Sequence, residues 1–155
     1  MKITSPHDTS AGQAASSAAE RPTPPRPSRA RAIPARRGRT KTLVLVGLNG
    51  QLVCDACHLA DTWHTRMRGV IGWKQLWPGE GVLLRPAFSI HSAFVRFPID
   101  AVFLDKRMTV ISIAHELKPW RTASSRHATS VLELAAGECR RLGIREGDQL
   151  GWGLL

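Results

Sequence analysis

Apolar and polar positions change period along this chain, and the changes divide it into elements. Thr42 to Val46 is a short aliphatic run that predicts a strand, and Asn49-Gly50 is a tight-turn pair. Both turn residues accept positive φ, so Gln51 to Leu59 is predicted to return as the second strand of a hairpin. The period then becomes helical: Trp63, Met67, Val70 and Ile71 fall at i, i+4, i+7 and i+8, one apolar stripe of a helix. Asp61 or Thr62 can cap it and Gly72 can end it. Gly69 would lie inside, at a cost of about 1 kcal/mol against alanine, which predicts close contact with another backbone. After the Trp77-Pro78-Gly79 turn, a strand is predicted from Gly81 to Leu84. Ser89 to Asp105 reads as two strands broken near Pro98, which lacks a ladder donor. Further strands are predicted over Thr109 to His115, Val131 to Leu134 and Gln149 to Trp152, with a helical turn from Gly137 to Leu142 that Gly143 ends. Pro119 to Ser130 reads as an exposed loop in which Trp120 folds back as a lid. Short strands, two short helices and no βαβ rhythm predict a mainly β (α+β) domain, a compact antiparallel barrel-like sheet.

Within that pattern Asp100 is out of place, because it interrupts the apolar run from Ile99 to Leu104. A buried carboxylate requires a partner, since an uncompensated charge in an apolar interior is too costly to keep. Arg66, Arg68, Arg96 and His91 are the candidate partners, and Glu133, also inside a β-like run, can pair with Arg66 or Arg96. The candidate polar cluster is therefore Arg66, His91, Arg96, Asp100 and Glu133. As a structural ion-pair network it would set strand register; as a site it would bind a ligand or carry a reaction.

Charge changes this picture little. The 155 residues carry a formal net charge of +10, but it is concentrated at one end. Residues 1–42 hold nine Lys/Arg and two Asp/Glu, leaving 13 basic and 10 acidic side chains for the rest. Residues 1–41 contain six of the ten prolines and no aromatic residue, so a disordered basic tail is expected ahead of a single domain over 42–155. Such a tail offers weak, salt-sensitive attraction to polyanions. The Pro-rich stretch from Arg21 to Arg29 has the spacing of polyproline ligands, but a linker or an artefact of the gene start is the favoured reading. No apolar run is long enough to span a membrane. Arg36-Arg37 precedes too short an apolar core for an export signal, so a cytoplasmic location is the expectation.

Three cysteines argue against a disulfide framework. Cys54-Asp55-Ala56-Cys57-His58 matches the C-x-x-C-H pattern of c-type haem attachment, and with His64 it could supply zinc ligands. In a regular strand, however, residues three apart project to opposite faces, so the two thiols should not meet unless the strand is interrupted. Ordinary packing is the expected role, and no cofactor or metal is expected. Cys139 should pack inward beside Leu142, with no base nearby to activate it. His115 and His127 read as surface histidines. No phosphate-binding glycine loop, nucleophile elbow or zinc-protease helix motif is present.

Five separated pieces together resemble the domain of unknown function 192 family. They are A-D-T-x-x-x-R-x-R-G from Ala60 to Gly69, G-E-G-V-L-L-R-P from Gly79 to Pro86, and I-H-S-x-x-V-R-F-P-I-D-A-V-F-L-D from Ile90 to Asp105. V-L-E-L-x-A-G from Val131 to Gly137 and G-I-R-E-G-D from Gly143 to Asp148 complete the set. The resemblance implies a small β-rich domain and no particular reaction. It carries over to Thr62, Arg66, Gly69, His91, Arg96, Pro98, Asp100, Glu133, Gly137, Gly147 and Asp148. Trp73 stands where the family pattern has arginine, and Val95 where it has methionine.

Two functional classes follow for the domain, beside nucleic-acid binding through the basic tail as a third. The first is a non-enzymatic accessory module that binds a small anionic ligand or an unknown protein partner. The alternative is an enzyme acting on a small anionic substrate, with Asp100 or His91 as general base and the arginines holding the substrate.

Overall fold

The computed structural model describes residues 41–47 and 49–153. The expected disordered tail, apart from its last residue, lies outside the described residues.

Among the described residues, nine strands and two helices follow one another. They are β1 (Thr42–Gly47), β2 (Leu52–Ala60), α1 (Trp63–Arg68), β3 (Glu80–Leu84), β4 (Ser89–His91) and β5 (Ile99–Leu104). β6 (Val110–Leu117), β7 (Thr122–Ser124), β8 (Ser130–Ala135), α2 (Glu138–Leu142) and β9 (Leu150–Gly153) complete the fold. Seven strands form one sheet in the order β6-β5-β8-β3-β2-β1-β9, and β4 pairs with β7 in a separate ribbon. The edges of the large sheet approach at one end, where Thr109 and Gln149 form a β-bridge. There Val110 N–H donates to Asp148 O at 2.8 Å and Leu150 N–H donates to Met108 O at 2.9 Å. These bonds curl the sheet into a half-barrel and occupy edge groups that would otherwise be open to other chains.

The mainly β reading holds, with differences in detail. β2 and β3 are parallel, and α1 lies on the crossover between them, a βαβ step missed because the helix has only two turns' worth of pattern. The segment Ser89 to Asp105 divides between two sheets: β4 pairs with β7, whereas β5 pairs with β6 and β8. The segment Pro119 to Ser130 therefore contains a strand. Buried Ser92 anchors it, donating from Oγ to Lys118 O at 2.6 Å and accepting from Arg121 N–H at 2.9 Å. Trp120 is exposed and packs edge-on against Phe94, ring centroids 4.8 Å apart, rather than closing over the candidate cluster.

Both faces of the central strands are covered, which is why β3, β5 and β8 read as continuous apolar runs. Leu83, Val102, Leu104, Leu132 and Leu134 point into the half-barrel with Cys139 and Leu142 of α2. Val82, Leu84, Ala101, Phe103 and Val131 point outward, beneath Val70, Leu76, Ile90 and Val95. Gly81 pairs with Leu134 in the β3–β8 ladder. A Cβ there would sit 3.0 Å from Glu133 O and 3.1 Å from Cys54 Sγ, so a side chain would require backbone or core to give way.

β2 departs from regular pairing in an informative way. Leu43 faces Cys57 and Leu45 faces Cys54, so β2 has one residue more than β1 across this step. That β-bulge resets the alternation. Cys54 and Cys57, expected on opposite faces, both enter the half-barrel core and share a side-chain hydrogen bond. They are free thiols. The hydrogen bond with the Cys57 thiol, followed by burial, pushes Cys54 far above the usual thiol range. His58 turns away from them and packs edge-on against Trp73 at 5.3 Å.

Candidate functional site

α1 is short, and its capping explains its placement. Thr62 accepts from Thr65 N–H through its side chain while Thr65 Oγ1 accepts from Thr62 N–H at 3.0 Å, a reciprocal box that fixes the first turn. Gly69 ends the helix at φ 41° instead of lying within it. The predicted apolar stripe consequently does not form core along its length: Trp63 is 62% exposed and Met67 50%, whereas Val70, beyond the helix, is buried.

A cleft of about 280 Å³ opens between α1 and the segment around β4. Val70, Ile71, Leu84, Ile90 and Val95 line it, together with Trp63, Met67 and Phe88, and its basic lining is Arg66, Arg68 and His91. Glu133 of β8 is the acid at this site, 4% exposed. Its Oε2 is buried with no hydrogen-bond partner among the described residues. Burial pushes its carboxyl up to about 7, a rise only partly opposed by the backbone N–H of Val70. Gly69 is the reason the carboxyl fits: a Cβ on that residue would lie 3.0 Å from Oε2. The close contact expected at Gly69 is with this side chain rather than with backbone.

The five candidate residues thus do not form one cluster. Arg66, His91 and Glu133 line the cleft; Arg96 and Asp100 do not. Arg96 is exposed, and no ion pair involving Arg66, Arg96 or Glu133 occurs among the described residues. Arg66 donates instead to Asp61 O at 3.1 Å. Asp100 is fully buried, and its hydrogen-bond donors are backbone amides rather than arginine: Glu116 N–H donates to Oδ1 at 2.8 Å and Cys139 N–H to Oδ2 at 2.9 Å. The pleat explains the separation. Ala101 pairs with Glu133 and Asp100 with Leu134, and residues opposite one another share a face. Glu133 therefore faces outward with Ala101, and Asp100 faces inward with Leu134.

The arrangement around Asp100 also brings in residues that sequence reasoning set aside. His115, Cys139 and Asp100 offer ligand atoms within 4.8 Å of one another. An irregularity in β6 positions His115: Ile99 pairs with Leu117 but Ala101 with Ala114, so two residues of β6 face Asp100 alone. Glu116 takes φ 49° to accommodate this. The only sequence signal was the polar pair His115-Glu116 ending an apolar strand.

Residues 44–152 match the family described as domain of unknown function 192, an uncharacterised ACR. The chain belongs to this family. Among curated relatives it is 35% identical over 65 residues to a UPF0127 protein of Pyrococcus furiosus, covering 41% of this chain and 55% of that one. It is 31% identical over 99 residues to a UPF0127 protein of Thermococcus kodakarensis, covering 61% and 62%. The matches span less than two thirds of either relative. Two crystal structures share the fold. A protein of unknown function from Novosphingobium aromaticivorans aligns with TM-score 0.66 at 23% identity over 77% of this chain and 90% of that one. A candidate transcription regulator from Sinorhizobium meliloti aligns with TM-score 0.64 at 24% identity over 74% and 98%.

The family pattern can now be placed in this member. Thr62 and Gly69 begin and end α1. Asp148 accepts from Arg145 N–H at 2.7 Å in the turn before β9. Trp73 is partly buried against the outer core, and Val95 is wholly within it. No helix among the described residues is long and apolar enough to cross a membrane.

Proposed function

We propose that this member of the domain of unknown function 192 family is a binding module whose ligand occupies the cleft beside α1. The observation that carries this reading is the unpartnered Oε2 of Glu133, buried at a concave apolar site. Buried polar atoms are ordinarily hydrogen-bonded, and a ligand supplying the missing donor would satisfy this one. The apolar lining favours a compact hydrocarbon body, and Arg66 and Arg68 favour a negative group on the same molecule. A small amphipathic zwitterion meets all three demands: an amine toward Glu133, an apolar body, and a carboxylate toward the arginines.

The test is calorimetric titration with phenylalanine, leucine and methionine, each beside its analogue lacking the amino group. The expected result is binding that prefers the amine by about tenfold, a preference abolished by Glu133→Gln, with overall affinity reduced by Arg66→Ala. Failure of every compound to bind, or binding indifferent to both substitutions, overturns the reading.

A second reading is supported by the position of the Glu133 carboxyl near pH 7. A buried acid poised there is suited to general acid–base catalysis on the molecule the cleft holds. It replaces Asp100 as the candidate base, since both Asp100 oxygens are engaged by backbone away from the cleft. Chemical change of a bound compound during the titration, lost in Glu133→Gln, distinguishes catalysis from binding alone.

A further inference from the structure

We propose that Asp100, His115 and Cys139 form a site for one thiophilic divalent cation, with zinc the best chemical match. The three side chains come from separate parts of the fold, β5, β6 and α2, and their ligand atoms lie within 4.8 Å of one another. Tetrahedral coordination at zinc's bond lengths places ligand atoms about 3.3–3.8 Å apart. The required contraction is on the order of 1 Å, and the exposed His115 side chain can supply it by rotation.

Charge supplies an independent reason. Asp100 is fully buried and makes no ion pair among the described residues. Buried charges are normally paired or bound to metal, and two amide dipoles supply hydrogen bonds without a countercharge. Those same amides hold the carboxylate in place, as outer-shell donors do around metal ligands. The Cys139 thiol also hydrogen-bonds this carboxylate, so the lone pair it occupies is freed for the metal when the thiol gives up its proton. One carboxylate, one imidazole and one thiolate make a borderline-soft ligand set that suits zinc over magnesium or calcium.

Three protein ligands with His115 on the solvent side leave a fourth position to water. As the ion binds, the Cys139 S–H bond breaks, its proton passes to buffer, and sulfur donates its electron pair to the metal. No change of oxidation state is involved. The site faces inward at Asp100, on the opposite side of the β5–β8 pair from the Glu133 cleft, and the two can be tested separately.

The full chain, freed of metal by chelator and kept reduced, is titrated with cobalt(II), which reports thiolate ligation through a near-ultraviolet charge-transfer band, and then with zinc. The expected result is one equivalent of cobalt, the thiolate band, and its loss on zinc addition. His115→Ala, at an exposed position, should weaken binding by at least about tenfold with the fold intact, and Cys139→Ser should abolish the band. A Cys54→Ser, Cys57→Ser double substitution controls for the other thiols and should leave the band in place. Absence of the band from the wild-type chain overturns the proposal. So does unchanged affinity in His115→Ala, or loss of the band only with the Cys54 and Cys57 substitutions.

Discussion

Two buried carboxylates sit on adjacent paired strands, one step of the pleat apart, and they are accommodated in opposite ways. Asp100 meets irregular backbone: the β6 bulge and the start of α2 each direct an N–H group at it. Glu133 faces the covered outer side of the same sheet, where neighbouring strand amides are committed to the ladder, and one of its oxygens has no partner. A buried charge is tolerated where the chain leaves regular pairing and frees donors to solvate it. Inside a regular sheet, the same group is held strained toward neutrality unless something outside the fold completes it.

The comparison predicts unequal effects of removing each acid. Asp100→Ala strands the buried Cys139 N–H and the partly buried Glu116 N–H, at about 1–3 kcal/mol for the first and less for the second, so unfolding in urea should show a loss of about 2–5 kcal/mol. A loss below about 1 kcal/mol would mean that those amides find other partners. Glu133 should behave oppositely. Its folded carboxyl is raised from 4.5 to about 7, so the folded chain holds its proton more tightly than the unfolded chain. Its stabilising contribution is complete below about pH 4.5 and is lost as pH rises through about 7. Glu133→Gln should therefore be nearly neutral at pH 4 and stabilising by up to roughly 3 kcal/mol at pH 8, the equivalent of that rise. Urea midpoints across pH check this; parallel wild-type and variant curves would sink it. Gly69→Ala is the smallest perturbation, placing a methyl group 3.0 Å from Oε2 at φ 41°. A cost of about 1–3 kcal/mol is expected, and most of the steric part should disappear in a Gly69→Ala, Glu133→Gln background if the amide rotates aside. Full additivity of the two substitutions would show that the cost lies in the backbone alone.

Several elements were legible because local chemistry determined them. The Asn49-Gly50 turn, the Thr62 cap, the Gly143 stop and the apolar runs of β3, β5 and β8 all follow from turn preference, capping and burial pattern. The site was half legible. Isolated acids in apolar strands pointed to Asp100 and Glu133, and both are buried. Their grouping was not legible, because a face is assigned only once strands pair and the register is set. The same limit explains Cys54 and Cys57, which share a face through one extra residue in β2, and His115, which an αL residue at Glu116 carries toward Asp100.

The amino-acid sequence by itself determined the β-rich class, the family membership and which polar residues would be out of place in an apolar interior, since each depends on residues close together or on composition. Tertiary structure alone decided which face each acid occupies, what solvates it, and that a cleft opens over Glu133. Those outcomes depend on bulges and strand registers, whose small local free energies are settled by packing between segments distant in the chain.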